Sequence, residues 1–158
     1  MRNLAETTQS GLQKARSEAM KRNMVVGFWM VGPATVGAPD DNCTLSATSA
    51  AWVVSVDNPA GKCATERSAT TAPRIVEVYG PGQSGANLVV AAADAAGTPA
   101  SSVSFNGFGQ RVGGGVAVID LSHSAGTDVR PLRIQISVSG GIRMCDPAVA
   151  APDPRACN

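Results

Sequence analysis

Two short stretches carry residue types that do chemistry in many enzymes. LSHSAGTD (Leu121 to Asp128) gathers Ser122, His123, Ser124 and Asp128, the side chains of a nucleophile, a base and an orienting acid. Catalytic triads are assembled from distant chain positions around an oxyanion hole, so a single polar run of this kind reads as a solvated loop. GPGQSG (Gly80 to Gly85) matches GxGxxG and comes directly after the strand-like run RIVEVY. A dinucleotide fold needs a helix next and an acid about 20 residues further on. The next residues are instead NLVVAAADAAGTPA, rich in Val and Ala and broken by Gly97 and Pro99, with Asp94 arriving too early, so the motif reads as a turn. No carboxylate pair stands on a regular scaffold and no metal-ligand cluster is visible. The sequence points to no enzyme and to no cofactor.

The remaining reactive residues are four cysteines, Cys43, Cys63, Cys145 and Cys157. None is spaced as CxxC and His123 is near no cysteine in sequence, which argues against a zinc site. Four cysteines allow three pairings. Local pairing, Cys43 with Cys63 and Cys145 with Cys157, is the expectation, because each pair brackets a turn-rich segment. Each closed loop would add about 3 kcal/mol by restricting the unfolded chain. Disulfides imply an oxidising compartment; free buried thiols are the alternative.

These residues must be positioned by one domain, since 158 residues are enough to bury a core but not to suggest two. Apolar residues make up 44% and charged residues 16%, which favours a folded chain over disorder. Aromatics are only 4%, so the core must be built from Ala, Val, Ile and Leu. A net charge of +1 is too balanced to argue for nucleic acid by itself. No run approaches the roughly 18–20 apolar residues that span a bilayer; MVVGFWMVG (Met24 to Gly32) is about strand length. Met1 is followed at once by polar residues, so no signal peptide is visible. That pattern fits a cytosolic protein or one whose leader has been cut away.

Leu4, Thr8, Gly11, Leu12, Ala15 and Ala19 fall within a stripe of about 100°, which predicts an amphipathic helix from Asn3 to Arg22. Its apolar side is mostly small, so it should lie close to whatever it packs on. The polar side carries Lys14, Arg16, Glu18, Lys21 and Arg22. Glu18 and Arg22 form a favourable i, i+4 pair, and Lys21 and Arg22 suit the negative helix end. As a nucleic-acid arm this helix is diluted by Glu6 and Glu18 and has no interleaved aromatics. As a membrane-surface helix it lacks large apolar anchors. A solvated face is the plain reading.

From Asn23 onward the pattern is strand-like. Expected strands are Val25–Val31, Ala51–Val56, Arg74–Tyr79, Leu88–Ala92, Val103–Phe105, Val116–Leu121 and Leu132–Val138, separated by Gly, Pro and Asn breakers such as Gly32-Pro33, Asn106-Gly107 and Gly140-Gly141. Short strands without a second helix argue for antiparallel sheets. In LRIQISVS, Leu132, Ile134, Ile136 and Val138 share one face, with Arg133 and Gln135 opposite, toward solvent. Pro147, Pro152 and Pro154 make the tail after Cys145 a loop.

LQKARSEAMKRNMVV (Leu12 to Val26) resembles the segment that ends the N-terminal helix in the FimT/FimU/GspH family of minor pilins and pseudopilins. VSFNGFGQ (Val103 to Gln110) is similar to that family's apolar strand, Phe and Asn-Gly turn, and ISVSGGIRMCDP (Ile136 to Pro147) to its last hairpin. The resemblance implies an α+β, pilin-like fold, in which an N-terminal amphipathic helix packs on antiparallel β-sheets of a two-sheet head. Residues 1–23 would then be the C-terminal half of a long pilin helix, docked through Leu4, Leu12, Ala15 and Ala19. Residues 24–158 would be the β-rich head, with a disulfide-closed C-terminal loop. In the family the other helix half carries a peptidase cleavage site and a hydrophobic segment that anchors the subunit in the inner membrane and then packs in the filament core. None of it is in this sequence, which is expected to be a soluble truncation.

The implied partners are other major and minor pilins and the inner-membrane pilus assembly machinery. The implied location is the inner membrane facing the periplasm, and the filament, which agrees with the disulfide reading. Some FimT-like members bind DNA through a GRxR motif in the last hairpin. Here Gly140, Gly141, Ile142 and Arg143 stand there, with Gly141 in place of the first arginine. Arg130, Arg133 and Arg155 are further positive candidates, and weak DNA binding at most is implied. A filament subunit acting in assembly is therefore expected. A DNA-capturing pilin, and a secreted β-sandwich binding module unrelated to pili, are the alternatives.

Overall fold

The computed structural model describes residues 1–33, 37–82, 87–124 and 129–158. Helix α1 runs Arg2–Arg22. It is followed by β1 (Val26–Gly32), β2 (Thr44–Leu45), β3 (Ala51–Ser55), β4 (Ile75–Tyr79), β5 (Leu88–Ala93), β6 (Ser102–Phe105), β7 (Arg111–Val112), β8 (Val118–His123), β9 (Leu132–Ile136) and β10 (Ile142–Cys145). One sheet has the order β4-β3-β1-β6-β7, with β2 added to the far end of β1. The other has the order β10-β9-β8-β5. Every strand pairing is antiparallel. The helix, the seven strands and the antiparallel sheets expected from the sequence are present, with strand ends shifted by up to two residues. β2 and β7 are additional two-residue strands, too brief to give a period-2 signal of their own; β10 is the second strand of the last hairpin that the resemblance implied.

The helix stops where its apolar stripe stops. Asn23 takes the left-handed conformation (φ 50, ψ 48), and its N–H donates back to the last turn. Asn is the residue that most readily replaces glycine there. The Met24 N–H then bonds to Ala19 O at 3.1 Å, which turns the chain directly into β1. Leu4, Ala5, Thr8, Gly11, Leu12, Ala15 and Ala19 are all buried. They meet β1, β3 and β6 of one sheet and β9 and β10 of the other, so α1 closes the space that both sheets face.

The approach is close because the helix face is nearly bare. A Cβ added at Gly11 would lie 2.7 Å from ring carbons of Trp52. Trp52 is itself fixed between Phe28 (centroids 5.3 Å) and Tyr79 (5.4 Å, stacked). Around this contact Val26, Phe28, Met30, Val54, Val103, Phe105, Val90, Ile119, Leu121, Ile134 and Ile136 form the main core.

Strand alternation gives the first sheet a second buried face. Val31, Ala51, Val53 and Ile75 point away from the helix and pack with the Cys43 and Cys63 side chains in a smaller core. Hence β1 and β3 read as continuous apolar runs and not as alternating strands. One sequence expectation fails here. Val138 is 70% exposed and outside the core, because β9 ends at Ile136 and the Ser137–Gly141 turn takes over, closed by the Gly140 N–H to Ser137 O bond at 3.0 Å. Arg133 and Gln135 lie on the opposite face, as expected, but half-buried.

Gly11→Ala should show which effect governs the helix. Helix propensity alone favours alanine by about 1 kcal/mol, whereas overpacking against a held indole costs about 1–3 kcal/mol. A lower melting temperature than wild type is expected; a higher one would mean that Trp52 is free to move.

Candidate functional site

The cysteines are paired as Cys43–Cys63 and Cys145–Cys157, with Cα separations of 6.2 and 5.1 Å. Each bridge holds a loop against the outer face of a sheet. The first closes the segment over β1 and β3, and the Pro59 carbonyl lies 3.4 Å from Cys43 Sγ. The second ties the tail to β10. There Asp146 N–H donates to Arg155 O at 2.7 Å, and Asp146 and Ala156 form an isolated β-bridge.

This tail gathers the four candidate arginines around the end of the second sheet. Arg133 on β9 forks onto Asp120 of β8, its directly paired neighbour, at 2.6 and 2.9 Å. Arg155 forks onto Asp153 at 3.1 and 2.7 Å. Those bonds hold the Asp153 carboxyl down at about 2. Arg143 is exposed on β10 and donates to the Ala156 carbonyl at 2.9 Å. Arg130 is exposed and adds to the positive potential at Asp153. Arg130 and Arg155 line an open cavity of about 670 Å³ with Met1, Val129, Leu132 and Met144. Arg133 and Arg143 are not among its lining residues. The four arginines face Asp120, Asp146 and Asp153, so four positive charges against three negative leave a balance of one among the described residues. Two of the four are already committed bidentately to carboxylates.

A second charged feature runs along the outer side of α1. Glu18 is only 6% exposed. Arg22 Nε donates to its Oε2 at 2.8 Å, and Lys14 Nζ stands 3.5 Å from its Oε1. Burial pushes the Glu18 carboxyl up, but the Arg22 hydrogen bond and the charges of Arg22, Lys14 and Lys21 outweigh it, leaving the group below its ordinary value. The i, i+4 spacing anticipates the Arg22 pair. The same i, i+4 spacing fits Lys14 on the other side; the burial of Glu18 is what the spacing alone does not give. A third feature is the Asn106–Gln110 turn, which displays Phe108 at 82% exposure. The sequence puts Phe105 in an expected strand and Phe108 beyond the Asn106-Gly107 breaker, but it does not show that the ring stands clear of the core.

The polar run Leu121 to Asp128 does not assemble a triad among the described residues. Ser122 and His123 are neighbours on β8 and project to opposite faces, Ser124 bonds to Asn87 O, and Asp128 lies outside the described residues. β4 ends at Tyr79, the Gln83–Gly85 part of the glycine motif also lies outside the described residues, and the next element is β5, not a helix. Among the described residues no group of three or more His, Cys, Asp or Glu could hold a metal, and no helix is long and apolar enough to cross a membrane.

An N-terminal helix seated across two antiparallel sheets, with a disulfide-tied tail, is the architecture of a pilin-like head. Two crystal forms of the type IV minor pilin FimU from Pseudomonas aeruginosa PAO1 share it. The P65 form superposes with a TM-score of 0.56 at 13% identity, over 96% of this chain and 98% of that one. The P21 form gives 0.59 at 15% identity, over 96% and 92%. A family model described as type II transport protein GspH matches residues 4–140. The chain belongs to this GspH family and is a minor pilin or pseudopilin of the FimT/FimU/GspH type. No curated protein matches it.

Glu18 supplies a pH test. Its folded-state pKa lies below the unfolded value of 4.5, so its contribution is complete above that value and is lost as pH falls through the folded pKa. Glu18→Gln removes it. Unfolding measured from about pH 5 down to about pH 3 should show a shallower loss of stability in the variant than in wild type. Identical acid slopes would mean that the Glu18 charge is not stabilised by its cationic neighbours.

Proposed function

We propose that this chain is a structural subunit of a type IV pilus or a related secretion filament, acting in filament assembly. In this reading residues 1–23 are the lower part of a longer pilin helix, and residues 24–158 are the displayed head. The observation that carries it is the two-sided character of α1. One face is buried against both sheets, while the other presents cations and an inward-drawn carboxylate to whatever lies outside. The partners in this reading are other major and minor pilins and the inner-membrane assembly machinery. The location is the periplasmic side of the inner membrane and the filament, consistent with the two disulfides.

DNA capture is less well supported. Phosphate binding needs several uncommitted cations, and near the last hairpin Arg133 and Arg155 are occupied by Asp120 and Asp153. With Gly141 at the position of the first family arginine, only Arg143 and Arg130 of the four candidates remain; Arg16 and Arg111, which lie by the hairpin's turn, already bond to carbonyls. The family assignment and the absence of an assembled catalytic cluster among the described residues also favour a structural role over an enzymatic one.

The test is fractionation of cells that make the full-length protein. It should co-purify with sheared filaments as a minor component, and deleting its gene should lower the number of filaments. Recovery only as a free secreted protein, with filament number unchanged, would contradict the proposal. Unchanged filaments with lost DNA uptake would move the reading to DNA capture.

A further inference from the structure

Two turns from different sheets meet at the C-terminal end of α1. The Asn106–Gln110 turn is held on every side. Asn106 Oδ1 accepts from the N–H groups of Phe108 and Gln110, both at 3.0 Å, and Asn106 exchanges main-chain bonds with Gln110 and Gly109. From the helix, Arg16 Nε donates to Gly109 O at 2.9 Å, and Asn23 abuts Gly107. From the other sheet, Gly140 touches Gly109 O, and Val138 O accepts from Arg111 N–H at 3.1 Å. Gly109 also lies against Met20, whose Sδ would be 2.8 Å from an added Cβ.

This fixed platform exposes Phe108 at 82%, Val138 at 70% and Met20 at 43%. Single exposed apolar residues need no explanation, but a cluster on a rigid support does. An aromatic ring held in advance loses little freedom on binding and makes an effective anchor. The surroundings are positive. No carboxylate occurs in residues 95–119 or 129–145. Arg16 and Arg111 make no ion pair with any described residue, and their side chains bond to carbonyls.

We infer that the Phe108–Val138–Met20 cluster is a docking surface for a different subunit of the same filament, one that presents an apolar recess rimmed by carboxylates. The inference rests on the filament reading above and names the surface that the reading leaves open. Charge complementarity selects the occupant. A second copy meeting the same face fits poorly, because the Arg16 and Arg111 guanidinium groups beside this platform, bonded only to carbonyls, would face their own counterparts across the contact. A nucleic acid would use Phe108 but leave the aliphatic Val138 and Met20 unburied, so protein is the favoured class.

The experiment places a photoreactive p-benzoylphenylalanine at Phe108 of the full-length protein in filament-producing cells, and separately at Val89, an exposed apolar residue on β5. Crosslinks from position 108 to a second filament subunit, in a peptide carrying Asp or Glu, are expected at a yield about tenfold above position 89, as befits an anchor at the centre of an interface. In parallel, Phe108→Ala should leave the melting temperature of the isolated head unchanged while reducing recovery of that crosslinked partner with the filament. Presence of the protein in filaments without a crosslink at 108 would overturn this surface and leave the filament assignment standing. Absence from filaments would overturn both. A crosslink only to nucleic acid, to another copy, or to a neutral or basic peptide would also overturn the surface.

Discussion

Everything in this head depends on how near α1 can come to Trp52. The indole is nearly fully buried between Phe28 and Tyr79, and its N–H finds no acceptor among the described residues. That contact therefore depends on shape and dispersion alone, which reward close approach and collapse when a gap opens. Gly11 provides the approach, and the alanines and Thr8 extend it along the helix axis. With α1 in place, the inner faces of both sheets share one core; without it, Val26, Phe28, Ile134 and Ile136 would all face solvent. Aromatic-poor composition is compensated by this geometry, since small residues on one side allow the few large rings on the other to be covered completely.

The disulfides extend the same arrangement to the outer faces. A sheet covered on one side by a helix must cover its other side or keep it polar. The first sheet does the former, with the Cys43–Cys63 loop over Val31, Val53 and Ile75. The second does the latter, with the Arg133–Asp120 pair, Gln135 and Arg143 under the tail that Cys157 anchors. The two bridges thus serve different surfaces, one apolar and one polar. On the polar one Arg133 and Arg155 are committed to Asp120 and Asp153, which is why a patch that looks basic in sequence is less so in space.

Much of this was legible in the chain because it is periodic. Leu4, Thr8, Leu12, Ala15 and Ala19 announce a helix and its face, and the Val/Ile runs between Gly and Pro breakers announce strands. The family segment Leu12 to Val26 announces how the two are joined. What was not legible depends on distance across the fold. Val138 continues the alternation of LRIQISVS, yet the chain turns before reaching it. Glu18 sits only at the edge of the helix stripe, beside Gly11 and Leu4, yet it is 6% exposed. Arg133 and Arg155 look available until Asp120 and Asp153 are placed beside them. Phe108 lies beyond the Asn106-Gly107 bend, but nothing in the sequence shows that its ring stands clear of the core.

If α1 is the shared wall of the core, it cannot open separately from the sheets. Native-state hydrogen exchange measures this directly, since each amide reports the free energy of the opening that exposes it. The amides of Leu12, Ala15 and Ala19 should exchange only through global unfolding, with the same free energy and denaturant dependence as those of Val53 in the first sheet and Ile134 in the second. Exchange of the helix amides through a smaller opening, lower by more than about 1–2 kcal/mol while the sheets stay protected, would contradict the account.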